Sequence, residues 1–193
     1  MITAHSLRMP TFAPEQKKTT IMAKTLIAFY SRSGENYVNG SVRNLPRGNN
    51  EVIVDKIKAQ LPDADVFRID TIKKYSADYY ECIEEAKQEL RAKARPELTA
   101  RVEDMDQYDT IILGYPNWWG VPPMAVFTFL ESYDFAGKKI VPFCSHEGSG
   151  LGGSIRQIKM TVPEANLTAG VAIHGAAASH CEREVNLILA QAK

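Results

Sequence analysis

The chain has 193 residues, 45% hydrophobic and 24% charged, enough apolar material for one globular domain with a sizeable core. Its 23 Lys+Arg balance 23 Asp+Glu, so the formal net charge is zero, and no basic face for nucleic acid or an anionic membrane surface is expected. Cys82, Cys144 and Cys181 lie far apart with no C-x-x-C pair, which reads as reduced thiols of a cytoplasmic protein rather than a disulfide framework. No run approaches the ~18 apolar residues of a membrane span.

Residues 1–21 carry Pro10, Pro14 and Lys17-Lys18, show neither helical nor strand period, and lack the apolar stretch of a secretory leader. They read as a flexible tail ahead of one domain over residues 22–193, with Met22 as a candidate native start. The first strand is TLIAFY, Thr25 to Tyr30, which breaks into the polar loop SRSGEN, Ser31 to Asn36. The segment NGSVRNLPRGNN then delays the first helix, for which Asn50 is the expected cap. Ile53, Ile57 and Leu61 share one face of that helix, and Pro62 ends it. DVFRI, Asp65 to Ile69, alternates and reads as an edge strand.

From Thr71 to Gln107 the connection runs to about 35 residues, longer than a usual crossover. Asp78-Tyr79-Tyr80-Glu81 looks like a capping box opening a helix to about Ala94, with Cys82, Ile83, Ala86 and Leu90 on a narrow apolar face. The plainer reading is a charged surface helix; the sharper one has Tyr75, Tyr79 and Tyr80 bordering a ligand. Three more apolar runs follow: DTIILGY (Asp109 to Tyr115), KIVPFC (Lys139 to Cys144) and NLTAGVAIH (Asn166 to His174). MAVFTFLES and SIRQIKM supply helices between them, and Ser179 with Glu182 forms a capping box ahead of Val185, Ile188 and Leu189. Continuous apolar strands alternating with helices predict an α/β sandwich with a parallel sheet and right-handed crossovers.

Three polar loops follow the carboxyl ends of strands, where ligands bind in open α/β sheets. In the first, Ser31, Ser33 and Asn36 offer donors and Gly34 allows close backbone approach; alone, it reads equally as a polar turn or as an anion nest. The second, Pro116-Asn117-Trp118-Trp119-Gly120, holds both tryptophans, and two in succession cannot easily face the same way. One suits stacking on a flat ring. The third, Ser145 to Ser154, contains Gly148-Ser149-Gly150-Leu151-Gly152-Gly153, a G-x-G-x-x-G match. The acidic residue expected about 20 positions later is missing, where the chain reads Ile173-His174-Gly175. A loop against a ring edge is therefore preferred to a pyrophosphate loop. His146 reads as a polar loop residue with no proton role or, if a ring is there, as a group that hydrogen-bonds it or biases its charge, and Glu147 reads as solvated. His174, His180 and Cys181 are too loosely spaced for a metal site, and no serine sits in G-x-S-x-G.

Together the loops resemble those of flavodoxins and the wider flavodoxin-like FMN proteins, over most of residues 23–191. The resemblance implies a three-layer doubly wound sandwich with a five-stranded parallel sheet in the order 2-1-3-4-5, and FMN as the cofactor. It places Ser31, Arg32, Ser33, Gly34, Glu35 and Asn36 at the flavin phosphate. Pro116, Asn117, Trp118, Trp119 and Gly120, with Ser145, His146, Glu147, Gly148, Ser149 and Gly150, would flank the ring, and Gly120 is the candidate for a peptide that turns near flavin N5. The implied role is electron transfer through non-covalent flavin, to redox partner proteins or a small-molecule acceptor. The alternative is an NAD(P)H-dependent FMN oxidoreductase acting on quinones or similar acceptors, and a third is a ligand-sensing or structural module. A neutral charge, the 39–50 segment and the long 71–107 connection all depart from a short acidic flavodoxin.

Overall fold

The computed structural model describes residues 24–193. The N-terminal tail and the Met22 start lie outside the described residues. Among the described residues, no helix is long and apolar enough to cross a membrane.

The sheet is built on β1 (Lys24–Phe29), β4 (Asp65–Arg68), β5 (Tyr108–Pro116), β6 (Lys139–His146), β7 (Asn166–Leu167) and β8 (Val171–His174). All pairings in it are parallel, in the order β4-β1-β5-β6-β7, with β8 also on β6. The period-two alternation of β1 divides its side chains between two cores. Leu26 and Ala28 enter one, Ile27 and Phe29 the other. Burial on both faces is why β1, β5 and β6 read as unbroken apolar runs. β4, covered by a neighbour on one edge only, alternates as expected.

One predicted strand, NLTAGVAIH, is two. Gly170 stands between its halves at φ 75°, a left-handed conformation that breaks the extended backbone, and both pieces pair with β6. Counted as one strand, they complete the 2-1-3-4-5 order of a flavodoxin-like α/β fold.

Helices α1 (Asn49–Gln60) and α5 (Glu182–Ala192) cover one face through Ile53, Val54, Ile57, Val185 and Ile188. Helices α3 (Met124–Glu131) and α4 (Ser154–Thr161) cover the other through Val126, Phe129, Leu130 and Ile158. The fifth, α2 (Tyr79–Ala92), lies in the long connection and buries only Cys82 and Ala86. Asp78 does cap it, accepting from the Glu81 N–H at 2.9 Å. The Glu81 carboxylate closes no box, however, and accepts from Ser76 Oγ instead.

Two other expected caps are not formed. The chain enters α1 at Gly48, two residues before the expected cap, because buried Asn50 spends its amide on the Tyr30 carbonyl at 3.0 Å. Ser179 falls in a short 3-10 segment, Gly175–His180, that precedes α5, so it stands too early to cap that helix.

The 39–50 segment contains an element that hydrophobic period alone does not reveal. Residues Gly34–Val38 (β2) and Ser41–Leu45 (β3) form an antiparallel hairpin apart from the main sheet. Asn39 and Gly40 connect them with φ 48° and 88°, the pair of positive angles of a type I′ turn. Asn-Gly was the sequence signal for it.

Candidate functional site

The three strand-end loops meet because β1, β5 and β6 are adjacent, and they surround a cavity of about 350 Å³. Ser31, Arg32 and Asn36 of the first loop line it, with Pro116, Asn117, Trp118, Trp119 and Gly120 of the second and Ser145, His146, Glu147 and Ser149 of the third. Ser33, Gly34, Glu35, Gly148 and Gly150 do not line it.

The first loop departs most from its expected form. Gly34, Glu35 and Asn36 belong to β2, so the loop leads into the hairpin instead of a helix. Ser33 is exposed, and the Asn36 amide donates inward to the carbonyls of Arg32 and Gly34. After the hairpin the chain returns at Gly48, packed so closely on Ser31 that a Cβ there would collide with Ser31 Oγ. This brings the N-terminus of α1 beside Ser31, whose hydroxyl accepts from the Glu51 N–H at 3.2 Å. Among the described residues, no acceptor is found for the N–H groups of Arg32, Asn49 and Asn50. Three free donors and a helix N-terminus therefore gather at one end of the cavity. Asn49 and Asn50 were missed because the hairpin separates them from Ser31 in sequence. Arg68 adds positive charge nearby, donating to the Ser31 carbonyl at 2.9 Å and to Glu51 at 2.8 Å. Its hydrogen bond, then that of Arg47, holds the Glu51 carboxyl below the usual carboxylate range.

The second and third loops are locked together. Asn117 donates to the Gly150 carbonyl at 2.8 Å while its own oxygen accepts from the Gly120 N–H. Gly153 N–H donates to Gly120 O at 2.7 Å. The two tryptophans divide as their adjacency requires. Trp118 turns inward, edge-on to Tyr30 at 5.4 Å and Tyr75 at 5.1 Å. Trp119, at φ 56° and 48% exposed, stands at the cavity mouth. Its indole N–H is bonded to Ile83 O at 2.9 Å, and Lys87 lies 5.0 Å from its ring centroid.

That bond shows what the long connection does. Tyr79, Cys82, Ile83 and Ala86 of α2 form a wall of the cavity, so the helix is more than a charged surface element. Tyr75 instead packs behind Trp118, and Tyr80 points away at 65% exposure. Burial pushes the Cys82 thiol up to about 11, so the wall carries a neutral thiol.

His146 accepts from the Gly148 N–H through Nδ1 at 2.9 Å, which leaves a neutral ring with its proton on Nε2. Burial, then the His174 ring 5.6 Å away, lowers its pKa below the ordinary value. Of the buried side-chain oxygens without a hydrogen-bond partner among the described residues, two belong to residues lining the cavity: Asn50 Oδ1 and Glu147 Oε1. No group of metal-ligating side chains occurs among the described residues.

A doubly wound sheet whose strand-end loops enclose one cavity defines a ligand-binding protein of the flavodoxin-like class. The flavodoxin family profile matches residues 24–186, and the chain belongs to that family. A search of curated proteins found no match. Among solved structures, one from Bacteroides uniformis assigned to the flavoproteins is 26% identical over 85% of this chain and 98% of its own, with a TM-score of 0.66. One from Bacteroides eggerthii, likewise assigned, is 24% identical over 87% and 99%, also at 0.66. A Lactobacillus acidophilus flavoprotein in complex with FMN is 20% identical over 81% and 96%, at 0.60.

Proposed function

We propose that this protein binds FMN without a covalent bond in the cavity at the strand ends, and that it transfers electrons through the flavin. The observation that carries the reading is the polarity of that cavity. Unpaired backbone donors and the α1 N-terminus occupy one end, and Trp119 stands at the other. A phosphate dianion matches the first, and a flat ring system matches the second. Asn50 and Glu147, each with one buried oxygen that has no donor among the described residues, also line the cavity.

The residues that would hold the phosphate are thus Ser31, Arg32, Asn49 and Asn50, a set that overlaps the contiguous loop of the sequence reading only in part. Pro116 to Gly120, with Ser145, His146, Glu147 and Ser149, would hold the ring. When bound, FMN supplies one- and two-electron chemistry that no side chain of the chain can. The protein's part is to position it, to exclude water with the α2 wall, and to present His146 Nε2–H as a neutral donor.

The first experiment is the absorption spectrum of the purified protein, followed by FMN and riboflavin titrations read by tryptophan fluorescence. FMN should bind far more tightly than riboflavin. A colourless protein that ignores both flavins excludes the reading. One observation favours the alternative, an NAD(P)H-dependent FMN oxidoreductase acting on quinones or similar small acceptors: Tyr79, Cys82, Ile83 and Ala86 of α2 add a wall to the cavity, against which a small acceptor could rest. Direct NADPH oxidation by the purified, FMN-loaded protein selects that alternative, and its absence selects the electron carrier.

A further inference from the structure

The hairpin β2–β3 is spliced into the chain between Ser31 and Asn49, which meet at one end of the cavity. Its root is fixed by several bonds. Arg32 donates to the Glu35 carbonyl and, at 2.7 and 3.0 Å, to the carbonyls of Ser76 and Ala77. The Glu35 carboxylate accepts from the Tyr79 N–H at 2.9 Å, and the Tyr37 and Tyr79 rings stack with centroids 6.0 Å apart. Asn36 and Tyr37 line the cavity.

Its tip is held differently. Asn39 N–H crosses to the third loop and donates to Glu147 Oε2 at 3.0 Å. The other Glu147 oxygen is buried without a donor, and the carboxylate stands 3.9 Å from His174 Nε2. Gly175 is what lets the carboxylate reach this place, since a Cβ there would collide with Glu147 Oε1 and also with the Asn49 amide. The hairpin therefore spans from the donor-rich end of the cavity to the third loop, with a many-bonded root and a tip fixed by one charge-assisted hydrogen bond.

We propose that the β2–β3 hairpin is a strap that opens and closes over the cofactor, and that Glu147 is the positioning residue that latches its tip through Asn39. The proposal rests on the FMN reading of the cavity. A latched strap slows release, because the flavin leaves only from the open form. It slows association as well, because only the open fraction of the free protein admits flavin. Loss of the latch raises both rates, whereas loss of an ordinary contact to the flavin raises only the dissociation rate.

The test compares Glu147→Ala, Glu147→Gln and a chain with residues 35–44 replaced by Gly-Gly, which the pairing of Gly34 with Leu45 makes short enough to bridge. Stopped-flow with FMN should show association and dissociation both faster by roughly tenfold in Glu147→Ala, the scale of one hydrogen bond to a charged group. The shortened chain should show the same pattern. Glu147→Gln, which keeps an acceptor for Asn39, should recover the slow rates.

In the flavin-free protein, amide exchange at Asn39 should rise in Glu147→Ala and recover in Glu147→Gln. Unchanged association with faster dissociation in Glu147→Ala would leave Glu147 a flavin contact only, with no part in a latch, and overturn the strap, as would unchanged exchange at Asn39. A wild-type protein that binds no FMN would overturn the proposed function instead, and the exchange measurement would still judge the latch.

Discussion

The cavity has two ends built in different ways. At the tryptophan end, loops after adjacent strands β5 and β6 tie directly to each other through Asn117, Gly120 and Gly153. At the α1 end, the donors come from two chain segments separated by a hairpin, and Gly48 packing on Ser31 holds them together. The first end is rigid through short links and core packing. The second is assembled, so its geometry depends on the close approach at Gly48, on the hydrogen bonds of Asn50, Glu51 and Arg68 that join the segments, and on the strap across it.

This difference predicts which substitutions cost stability and which cost binding. Trp118→Ala should have the largest effect, lowering stability by about 3 kcal/mol in chemical denaturation, because its ring fills space between Tyr30 and Tyr75. Loss of this order would confirm the tryptophan end as core, and a loss below about 1 kcal/mol would place the ring outside it.

At the other end, Gly48→Ala should spread Ser31 from α1 and weaken FMN by about 2–3 kcal/mol, the scale of one or two hydrogen bonds to a charged group. Riboflavin, lacking the phosphate, should lose much less in isothermal titration. Equal losses would erase the distinction between the two ends.

Trp119→Ala should cost little stability, since the ring is 48% exposed, but should weaken FMN and riboflavin alike by about 1 kcal/mol, as loss of one aromatic contact does. The smallest effect concerns His146. Its folded pKa lies below the unfolded value of about 6.5, so the unfolded chain binds the proton first as the pH falls. Stability should therefore decline as the pH drops below about 6.5, until the folded His146 also protonates, and the urea midpoint of His146→Gln should show a flatter slope over that window. An unaltered slope would remove His146 as a source of acid sensitivity.

Each part that was legible in the sequence was local. Apolar runs marked the strands, the Asp78 cap marked α2, and paired tryptophans marked a loop in which only one ring could be buried. The wall from the long connection was less legible: its helix reads first as a charged surface element, and of Tyr75, Tyr79 and Tyr80 only Tyr79 lines the cavity. Caps were the weakest inference, because Asn50 and Ser179 carry the right side chains but are used or placed otherwise. In the first loop, SRSGEN has the composition of an anion site, yet Gly34 to Asn36 run into a strand and Ser33 faces solvent.

The sequence by itself determined the α/β class, the three loops at one sheet edge and the chemistry they could offer, since period, turn residues and strand ends are properties of neighbouring residues. Only the tertiary structure decided that Asn49 and Asn50 join Ser31, that Trp118 packs half-buried against the core while Trp119 stands at the rim, and that Glu147 reaches Asn39. Those outcomes depend on contacts between residues far apart in the chain, and such contacts form only when the parallel sheet has brought its strand ends together.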